Sequence, residues 1–231
     1  IVAFTWLLFT GFGMLPFYIS GSIPSVTDAF FETMSGFTAT GATILDDIEA
    51  LSHGMLFWRS FSQWIGGLGI VFFTIAVLPI FGVGNQVLFS AEATGVTHDK
   101  IHPKISVMAQ CLWTVYLVLT VAEIVLLLIG GMDLFDAACH AFPTTATGGY
   151  STKQASVAYW NSPFIEYVIA IFMILSGINF SLYFMCMKGR CGQLFKDGEL
   201  RLYLISIGAV TLIITGALYW YNNYGLEEAF R

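Results

Sequence analysis

Two strings of small, hydroxylated and glycine residues are the parts of this sequence best suited to chemistry. They read Thr38-Ala-Thr-Gly-Ala-Thr43 and Thr144-Thr-Ala-Thr-Gly-Gly-Tyr-Ser151, and neither contains an acidic or basic side chain. A ligand there would be held by main-chain carbonyl oxygens, which replace the water around a dehydrated ion. Glycine permits the positive φ angles that align successive carbonyls. The strings therefore predict a filter for cations.

Each string is preceded by a short segment that has its own helix-start signature. Ser25-x-x-Asp28 and Asp133-x-x-Asp136 place a capping side chain before an acid that complements the positive end of a helix. About ten moderately apolar residues follow, too few to cross a bilayer and typical of a re-entrant segment. Such a helix directs the negative end of its dipole toward the membrane centre, where it favours a cation.

The two segments align as an internal repeat at an offset of 108 residues. In this alignment Ser25 matches Asp133, Gly41 matches Gly149 and Thr43 matches Ser151. An offset of 107 would instead match Gly41 with Gly148, but the helix starts favour 108. The other interpretation of the pattern is two external loops, each with a short interfacial helix. Because the whole pattern occurs twice, we favour a pore element.

The composition indicates that these segments belong to a membrane protein. Of 231 residues, 57% are hydrophobic and 10% are charged, whereas soluble domains carry about 25% charged residues. The formal charge of −6 argues against a nucleic-acid-binding surface. Stretches nearly free of charge are long enough to cross about 30 Å of hydrocarbon. They predict five membrane spans, over residues 1–19, 53–81, 105–130, 162–187 and 201–222.

The spans divide the chain into repeats of span, short helix, filter strand and span. We predict a first pore repeat over residues 1–82, a second over 105–187, and the first span and start of a third over 201–231. Because both ends of the chain lie in or next to an apolar run, we expect it to be part of a longer protein.

The distribution of basic residues predicts the orientation in the membrane. The loops 83–104 and 188–200, together with the adjoining Arg201, hold six of the nine Lys and Arg residues. By the positive-inside rule these loops are cytoplasmic. The opposite side is rich in Asp and Glu, which suits the attraction of cations.

Several strings resemble the TrkH/TrkG/KtrB superfamily of potassium transporters, and specifically its TrkH branch. Ser35-Gly-Phe-Thr-Ala-Thr-Gly-Ala-Thr43 and Phe142-Pro-Thr-Thr-Ala-Thr-Gly-Gly-Tyr-Ser-Thr152 contain the two predicted filters. Trp58-Arg-Ser-Phe-Ser-Gln-Trp-Ile-Gly-Gly-Leu-Gly-Ile70 is the most specific string, and Ala91-Glu-Ala-Thr-Gly-Val96 also fits. The similarity extends over essentially the whole chain.

The resemblance implies an all-α membrane protein built from helix, re-entrant pore helix, filter strand and helix units, as in potassium channels. Four units surround one pore, and each supplies a filter strand with one filter glycine, here Gly41 and Gly149. K+ would bind the backbone carbonyls of Thr38, Ala39, Thr40, Gly41 and Ala42 in the first strand, and of Ala146, Thr147, Gly148, Gly149 and Tyr150 in the second.

The resemblance also implies the setting in which the chain works. It would be a multi-pass protein of the bacterial inner membrane that takes up K+ and forms a homodimer in its full-length form. Its partner would be a cytoplasmic nucleotide-binding regulatory subunit. We expect no organic cofactor, no catalytic residue and no nucleic acid, with K+ as the transported ion. Since only two complete units are present, this chain would hold about half of the pore.

Two other functional classes compete with a transporter, namely a polytopic intramembrane enzyme and a non-conducting membrane scaffold. An enzyme needs a nucleophile with a base, or metal ligands, at membrane depth. The spans offer Glu123 and Asn179 there, without an accompanying His or Asp. A scaffold would not need a repeated re-entrant segment.

Three polar residues have two interpretations each. Arg59 either anchors the pore-helix region through an acid such as Glu32 or Asp46, or extends to the interface beside two tryptophans. Glu123 either couples protons or, as we favour, pairs with a polar group on a neighbouring helix. Asn179 either forms a hydrogen bond across helices or faces the water-filled cavity.

Small residues and cysteines are assigned packing roles. Gly66-Gly67-x-Gly69 predicts close helix packing rather than a nucleotide-binding loop, because no strand precedes it. The four cysteines are expected to be reduced packing residues without a disulfide: Cys111, Cys139, Cys186 and Cys191.

Overall fold

The computed structural model describes residues 2–69, 105–187, 192, 197–222, 225, 227 and 230. These residues form helices and irregular connections, without a β-strand in the described ranges. The predicted cytoplasmic loop 83–104 and most of 188–200 lie outside the described residues, as does the part of the second predicted span after Gly69.

The helices follow one another along the chain with short connections. In order they are α1 (Val2–Gly13), α2 (Leu15–Ile19), α3 (Val26–Phe37), α4 (His53–Gly67), α5 (Ile105–Ile129), α6 (Leu134–Thr145), a 3₁₀ helix (Ser156–Trp160), α7 (Pro163–Ser176), α8 (Phe180–Met187) and α9 (Gly198–Asn222). The predicted filter strands, residues 38–43 and 146–151, are turns and irregular backbone.

Two of the described helices are long and apolar enough to cross a membrane. They are Cys111–Ile129 within α5, with a mean hydropathy of 2.4, and Gly198–Trp220 within α9, with a mean hydropathy of 2.0. The apolar helical stretches Phe4–Ile19, which covers α1 and α2, and Pro163–Ser176 are shorter. The helices α5 and α9 agree with the predicted spans 105–130 and 201–222.

Three of the five predicted spans are not continuous helices. The first is interrupted between α1 and α2, because Pro16 has no N–H to donate to the preceding turn. The second ends at Gly67, and Gly69 follows with a φ of 73° that ends a right-handed helix. The fourth is interrupted between Ser176 and Phe180, at the Gly177-Ile-Asn179 connection. Glycine and proline therefore divide apolar runs that are otherwise long enough to span.

The chain divides into two compact units, Ile1–Ser176 and Gly177–Arg231. Within the first unit α4 packs against the short helices α3 and α6, and α6 also packs against α5 and α7. Aromatic rings fill the space around α4, with Trp64 lying 5.4 to 5.5 Å from the rings of Trp113, Tyr116 and Phe142. The packing holds the ends of α3 and α6, and the segments that follow them, against α4.

The second unit contains α8 and α9. Asn179, just before α8, donates its side-chain amide to the Glu199 carboxylate at 3.3 Å. Of its two predicted roles, the structure therefore shows the hydrogen bond across helices. Cys186 in α8 is disulfide-bonded, so the prediction that it is a reduced packing residue was wrong, because its position in an apolar run does not reveal a nearby thiol. Cys111 and Cys139 are free thiols, as predicted.

Candidate functional site

The two short helices begin in the same way, with an acceptor side chain before the first turn. The Ser25 hydroxyl accepts the N–H of Asp28 at 3.4 Å, and the Asp133 carboxylate accepts the N–H groups of Phe135 and Asp136 at 3.3 Å. Each helix is 12 residues long. The caps agree with the helix starts predicted from the sequence.

The backbone after each helix repeats at an offset of 108 residues. We call residues 38–43 the Gly41 segment and residues 146–151 the Gly149 segment. The N–H of Thr40 donates to the Ser35 carbonyl, and the N–H of Gly148 donates to the Pro143 carbonyl. Positive φ angles also recur in step, at Ala39 (51°) and Thr147 (56°), and at Gly41 (78°) and Gly149 (83°). The backbone thus follows the offset that matches Gly41 with Gly149.

The two segments lie in direct contact with each other. A Cβ added to Gly41 would overlap the carbonyl oxygen of Gly148. The Tyr150 hydroxyl lies between the segments, 3.0 Å from the Glu32 carbonyl and 3.2 Å from the Ala42 carbonyl, and its one proton is shared between these two acceptors. The structure therefore brings together two stretches that are 108 residues apart in sequence, and glycine is required at the point of closest approach.

Most of the predicted ligand carbonyls in these segments carry no hydrogen bond. Among the described residues, no donor contacts the carbonyl oxygens of Thr38, Ala39, Thr40 and Gly41, or those of Ala146, Thr147, Gly148, Gly149 and Tyr150. The exception is Ala42, whose carbonyl accepts the hydroxyls of Ser35 at 2.6 Å and Tyr150 at 3.2 Å. The Ala42 carbonyl therefore has hydroxyl contacts that the other predicted ligand carbonyls lack, and its role as an ion ligand stays a prediction.

A buried carboxylate organises the first segment. Glu32 on α3 is 1% exposed and accepts hydrogen bonds from the Thr43 hydroxyl at 3.0 Å and the Ile44 N–H at 3.1 Å. Its charge is balanced by Arg59 on α4, whose Nε lies 2.7 Å from a Glu32 carboxylate oxygen. Of the two interpretations of Arg59, the structure therefore shows the anchor and not the side chain at the interface.

Arg59 also links the first segment to the second. Its Nη1 donates to the Ser151 carbonyl at 3.0 Å, and its guanidinium lies 3.6 Å from the centre of the Tyr150 ring. Burial, with the nearby Glu32 charge, raises the pKa of the Tyr150 phenol, so the hydroxyl remains a donor. One cation on α4 thus contacts the side chain of α3 and the backbone of the Gly149 segment.

Gln63 is a second contact from α4 that the sequence analysis did not single out. It lies one turn after Arg59, is fully buried, and accepts the Tyr150 N–H at 3.1 Å through its Oε1. A Cβ added to Gly148 would overlap its amide group. The signal available in the sequence was a glutamine within a predicted membrane span, a position where a polar side chain needs a specific partner.

The second segment has its own polar contacts. His140 on α6 contacts the Ser151 hydroxyl through Nε2 at 2.8 Å and the Asp136 carbonyl through Nδ1 at 2.7 Å. The Thr152 hydroxyl donates to the Asp136 carboxylate at 2.6 Å. His140 occupies the position of Glu32 at the offset of 108, so each segment is tied to its own helix by one polar side chain.

Glycine allows α4 to approach both segments closely. A Cβ at Gly66 would overlap the Phe37 carbonyl at the end of α3, and a Cβ at Gly67 would overlap Ala146 at the end of α6. These contacts confirm the predicted close packing of Gly66 and Gly67.

Glu123 on α5 is fully buried in the first unit. The hydroxyls of Thr144 and Thr145 are its polar neighbours on α6. Neither carboxylate oxygen forms a hydrogen bond of ordinary geometry with the described residues. Polar groups on a neighbouring helix therefore lie beside Glu123, as predicted, but they form no regular hydrogen bond with it among the described residues.

Comparison with known proteins supplies the context for this site. A family model described as TrkH, cation transport protein, matches residues 1–218. The chain is 42% identical over 226 residues to the Trk system potassium uptake protein TrkH of Escherichia coli (strain K12), covering 96% of this chain and 47% of that protein. It is 36% identical over 234 residues to the Trk system potassium uptake protein TrkG of the same strain, covering 100% of this chain and 48% of that protein.

A solved structure is similar throughout. The crystal structure of the potassium transporter TrkH from Vibrio parahaemolyticus matches with a TM-score of 0.82 and 35% identity, covering 100% of this chain and 47% of that chain. The chain thus spans about half the length of the relatives it matches.

Proposed function

The chain belongs to the TrkH family of cation transport proteins, and on this premise we propose that it is a membrane subunit of a potassium-uptake channel or transporter. In this proposal K+ passes through a filter lined by backbone carbonyls of the Gly41 and Gly149 segments. The family is one of transport proteins, so the alternative of an intramembrane enzyme is set aside. A non-conducting scaffold is the alternative against which the transport experiment is designed.

The observation that carries the proposal is a pair of touching segments with unbonded carbonyl oxygens. Carbonyl oxygens without a donor among the described residues are free to bind water or a ligand, and Thr38, Thr147 and Gly149 are exposed, so an ion could reach the segments. The positive φ at every second residue, at Ala39, Gly41, Thr147 and Gly149, supports alignment of these oxygens toward one side. Such an arrangement replaces the hydration shell of a cation without any charged side chain.

The ends of the two short helices add to the attraction. α3 ends at Phe37 and α6 ends at Thr145, each directly before its glycine segment. The C-terminal end of a helix carries a partial negative charge, so both helices favour a cation beside the segments. We propose that α3 and α6 are pore helices, and that each belongs to a repeat of helix, pore helix, filter segment and helix.

We further propose that these two repeats provide about half of the pore, because the chain spans about half the length of its relatives. The complete pore would work in the bacterial inner membrane without an organic cofactor, as a homodimer regulated by a cytoplasmic nucleotide-binding subunit. The loops 83–104 and 188–200 would face the cytoplasm, because they carry most of the basic residues.

The proposal is tested by rubidium uptake in bacteria that lack their own potassium-uptake systems and express the complete gene product. We expect Gly41→Ala and Gly149→Ala each to lower the uptake rate at least about tenfold. An L-residue in the left-handed region costs about 1–2 kcal/mol. In the proposed filter this strain would displace the carbonyls that bind the ion, and a loss of about 1.4 kcal/mol in transition-state or binding free energy is a tenfold change. Gly41→Ala should have the larger effect, because its Cβ also overlaps the Gly148 carbonyl.

Two other glycines provide matched controls. Gly21 and Gly131 also have positive φ angles, of 73° and 97°, and a Cβ at either would meet nothing within 4 Å. Gly21→Ala and Gly131→Ala impose similar backbone strain away from the segments, so uptake should stay within about twofold of the parent. Uptake that survives both segment substitutions would contradict the filter, and a parent without uptake would favour the scaffold.

A further inference from the structure

Gln63 contacts the Gly149 segment but lies on α4, in the predicted first repeat. Its side chain extends from α4 and is fully buried. The amide lies against Gly148, where an added Cβ would overlap it, and 3.9 Å from the position of a Cβ on Gly41. One side chain therefore contacts the second segment and lies close to the first.

The hydrogen bond that Gln63 makes is directed at one particular peptide group. Its Oε1 accepts the N–H of Tyr150 at 3.1 Å. That N–H and the carbonyl of Gly149 belong to the same planar peptide unit and point in opposite directions when the bond is trans. The structure contains no cis peptide bond among the described residues. Holding the N–H toward α4 therefore turns the Gly149 carbonyl away from α4.

The NH₂ group of the Gln63 amide forms no hydrogen bond in the described part of the structure. The Gln63 Nε2 is buried and has no hydrogen-bond partner there. A buried donor without a partner costs about 1–3 kcal/mol. An apolar side chain of the same size would avoid this cost. The helix that follows the second segment, α7, has such side chains from Val168 to Leu175 and no glutamine. Gln63 thus provides a buried acceptor at the cost of a donor that is unsatisfied among the described residues.

We infer that Gln63 is a specificity-determining positioning residue for cation transport. Through the Tyr150 N–H it fixes the orientation of the Gly149–Tyr150 peptide, and thereby the direction of the Gly149 carbonyl in the filter. It does not contact the ion. A carbonyl that is free to rotate would coordinate ions of different radius with less difference in energy, so discrimination between K+ and Na+ would fall. This inference rests on the proposed function of the Gly149 segment as part of the filter.

The experiment measures K+ and Na+ uptake by the complete gene product in proteoliposomes. In Gln63→Leu the acceptor is lost and the volume is nearly kept, so we expect the K+-to-Na+ ratio of uptake rates to fall at least about fivefold. In Gln63→Glu a carboxyl oxygen keeps the acceptor, and burial favours the neutral, protonated form of the introduced group, so the ratio should stay within about twofold of the parent. The ratio is independent of the amount of protein that is correctly inserted.

Gln154 supplies a matched control. It is also a glutamine whose Oε1 accepts a backbone N–H from the other repeat, that of Ile48 at 3.2 Å, but it is exposed and outside both segments. Gln154→Leu should leave the ratio unchanged. Should Gln63→Leu fail to insert, Gln63→Met removes the same acceptor with an unbranched side chain and replaces it in the comparison.

The outcomes separate this inference from the function on which it rests. A K+-to-Na+ ratio in the acceptor-free variant equal to that of the parent would overturn the role of Gln63 and leave the filter intact. Equal loss in the Leu and Glu variants would also overturn it, because the acceptor would then not be the cause. A parent that transports neither ion would instead refute the proposed function.

Discussion

The two helix-and-glycine segments have the same backbone but are held by different side chains. At the offset of 108 residues the helix caps, the turns that follow the helices and the positive φ angles all correspond. The polar side chains that tie each segment to its own helix do not correspond. Glu32 is charged and paired with Arg59, whereas His140 at the equivalent position bonds to a hydroxyl and a backbone carbonyl.

This difference distinguishes the residues that determine the backbone path from the side-chain contacts that hold the backbone in place. Caps and glycines are local determinants and occur in both segments, so they are sufficient to repeat the path of the chain. The supporting contacts depend on which neighbour lies behind each segment. α4 lies behind both, with Arg59 reaching the Gly149 segment and Gln63 contacting it. Support of the second segment thus comes partly from α4, a helix that precedes α6 in the chain and packs against α3 as well.

The comparison is tested most strongly at the ion pair, and the largest effect is expected for Arg59→Met. This change leaves the Glu32 carboxylate buried without its cation, which costs about 3–5 kcal/mol. We expect that loss in the free energy of unfolding, measured by SDS titration in mixed micelles. The double variant Arg59→Met/Glu32→Gln removes both charges and should recover at least half of it.

If the single variant lost less than about 1 kcal/mol, Arg59 would behave as a surface residue, and the asymmetry between the segments would have no energetic basis. If the double variant were no more stable than the single one, the contacts of Arg59 with Ser151 and Tyr150 would account for the loss in place of the charge on Glu32.

A smaller effect is expected at the equivalent position of the second segment. His140→Leu keeps the approximate size of the side chain and removes the contacts with the Ser151 hydroxyl and the Asp136 carbonyl. Neutral hydrogen bonds of this kind contribute about 0.5–1.5 kcal/mol each. The same SDS titration should show a loss of about 1–3 kcal/mol, below that of Arg59→Met. If His140→Leu lowered the free energy of unfolding more than Arg59→Met, the second segment would depend more strongly on its polar contact than the first.

The features that could be predicted from the sequence are those with local causes. Ser25 and Asp133 marked the starts of the helices, and Gly41 and Gly149 marked positions with positive φ. The offset of 108 also followed from residues near each other in the chain. Each of these features depends on the preferences of a few consecutive residues, so one sequence contains enough information.

The features that sequence analysis left open or missed depend on contacts between distant segments. Arg59 had two interpretations until Glu32 was found 2.7 Å away, and Gln63 gained significance only from the Tyr150 N–H. The hydroxyls that contact the Ala42 carbonyl lie 7 and 108 residues away in sequence, so the sequence did not predict these hydrogen bonds. Apolar length also concealed the interruption between Ser176 and Phe180, because a hydropathy pattern does not detect where a helix ends within an apolar run.

The smallest expected effects are at the two helix caps, where the segments should be most alike. Ser25→Ala and Asp133→Ala each remove a cap, which costs about 0.5–2 kcal/mol. Asp133→Ala should cost more, because Asp133 accepts two N–H groups and Ser25 accepts one, and because its charge also interacts with the helix dipole. In the SDS titration we expect a difference of about 0.5 kcal/mol between the two variants, with Ser25→Asp raising stability by about the same amount. A destabilising Ser25→Asp would show that the caps, like the anchors, depend on their surroundings. The shared backbone would then have to be attributed to the glycines alone.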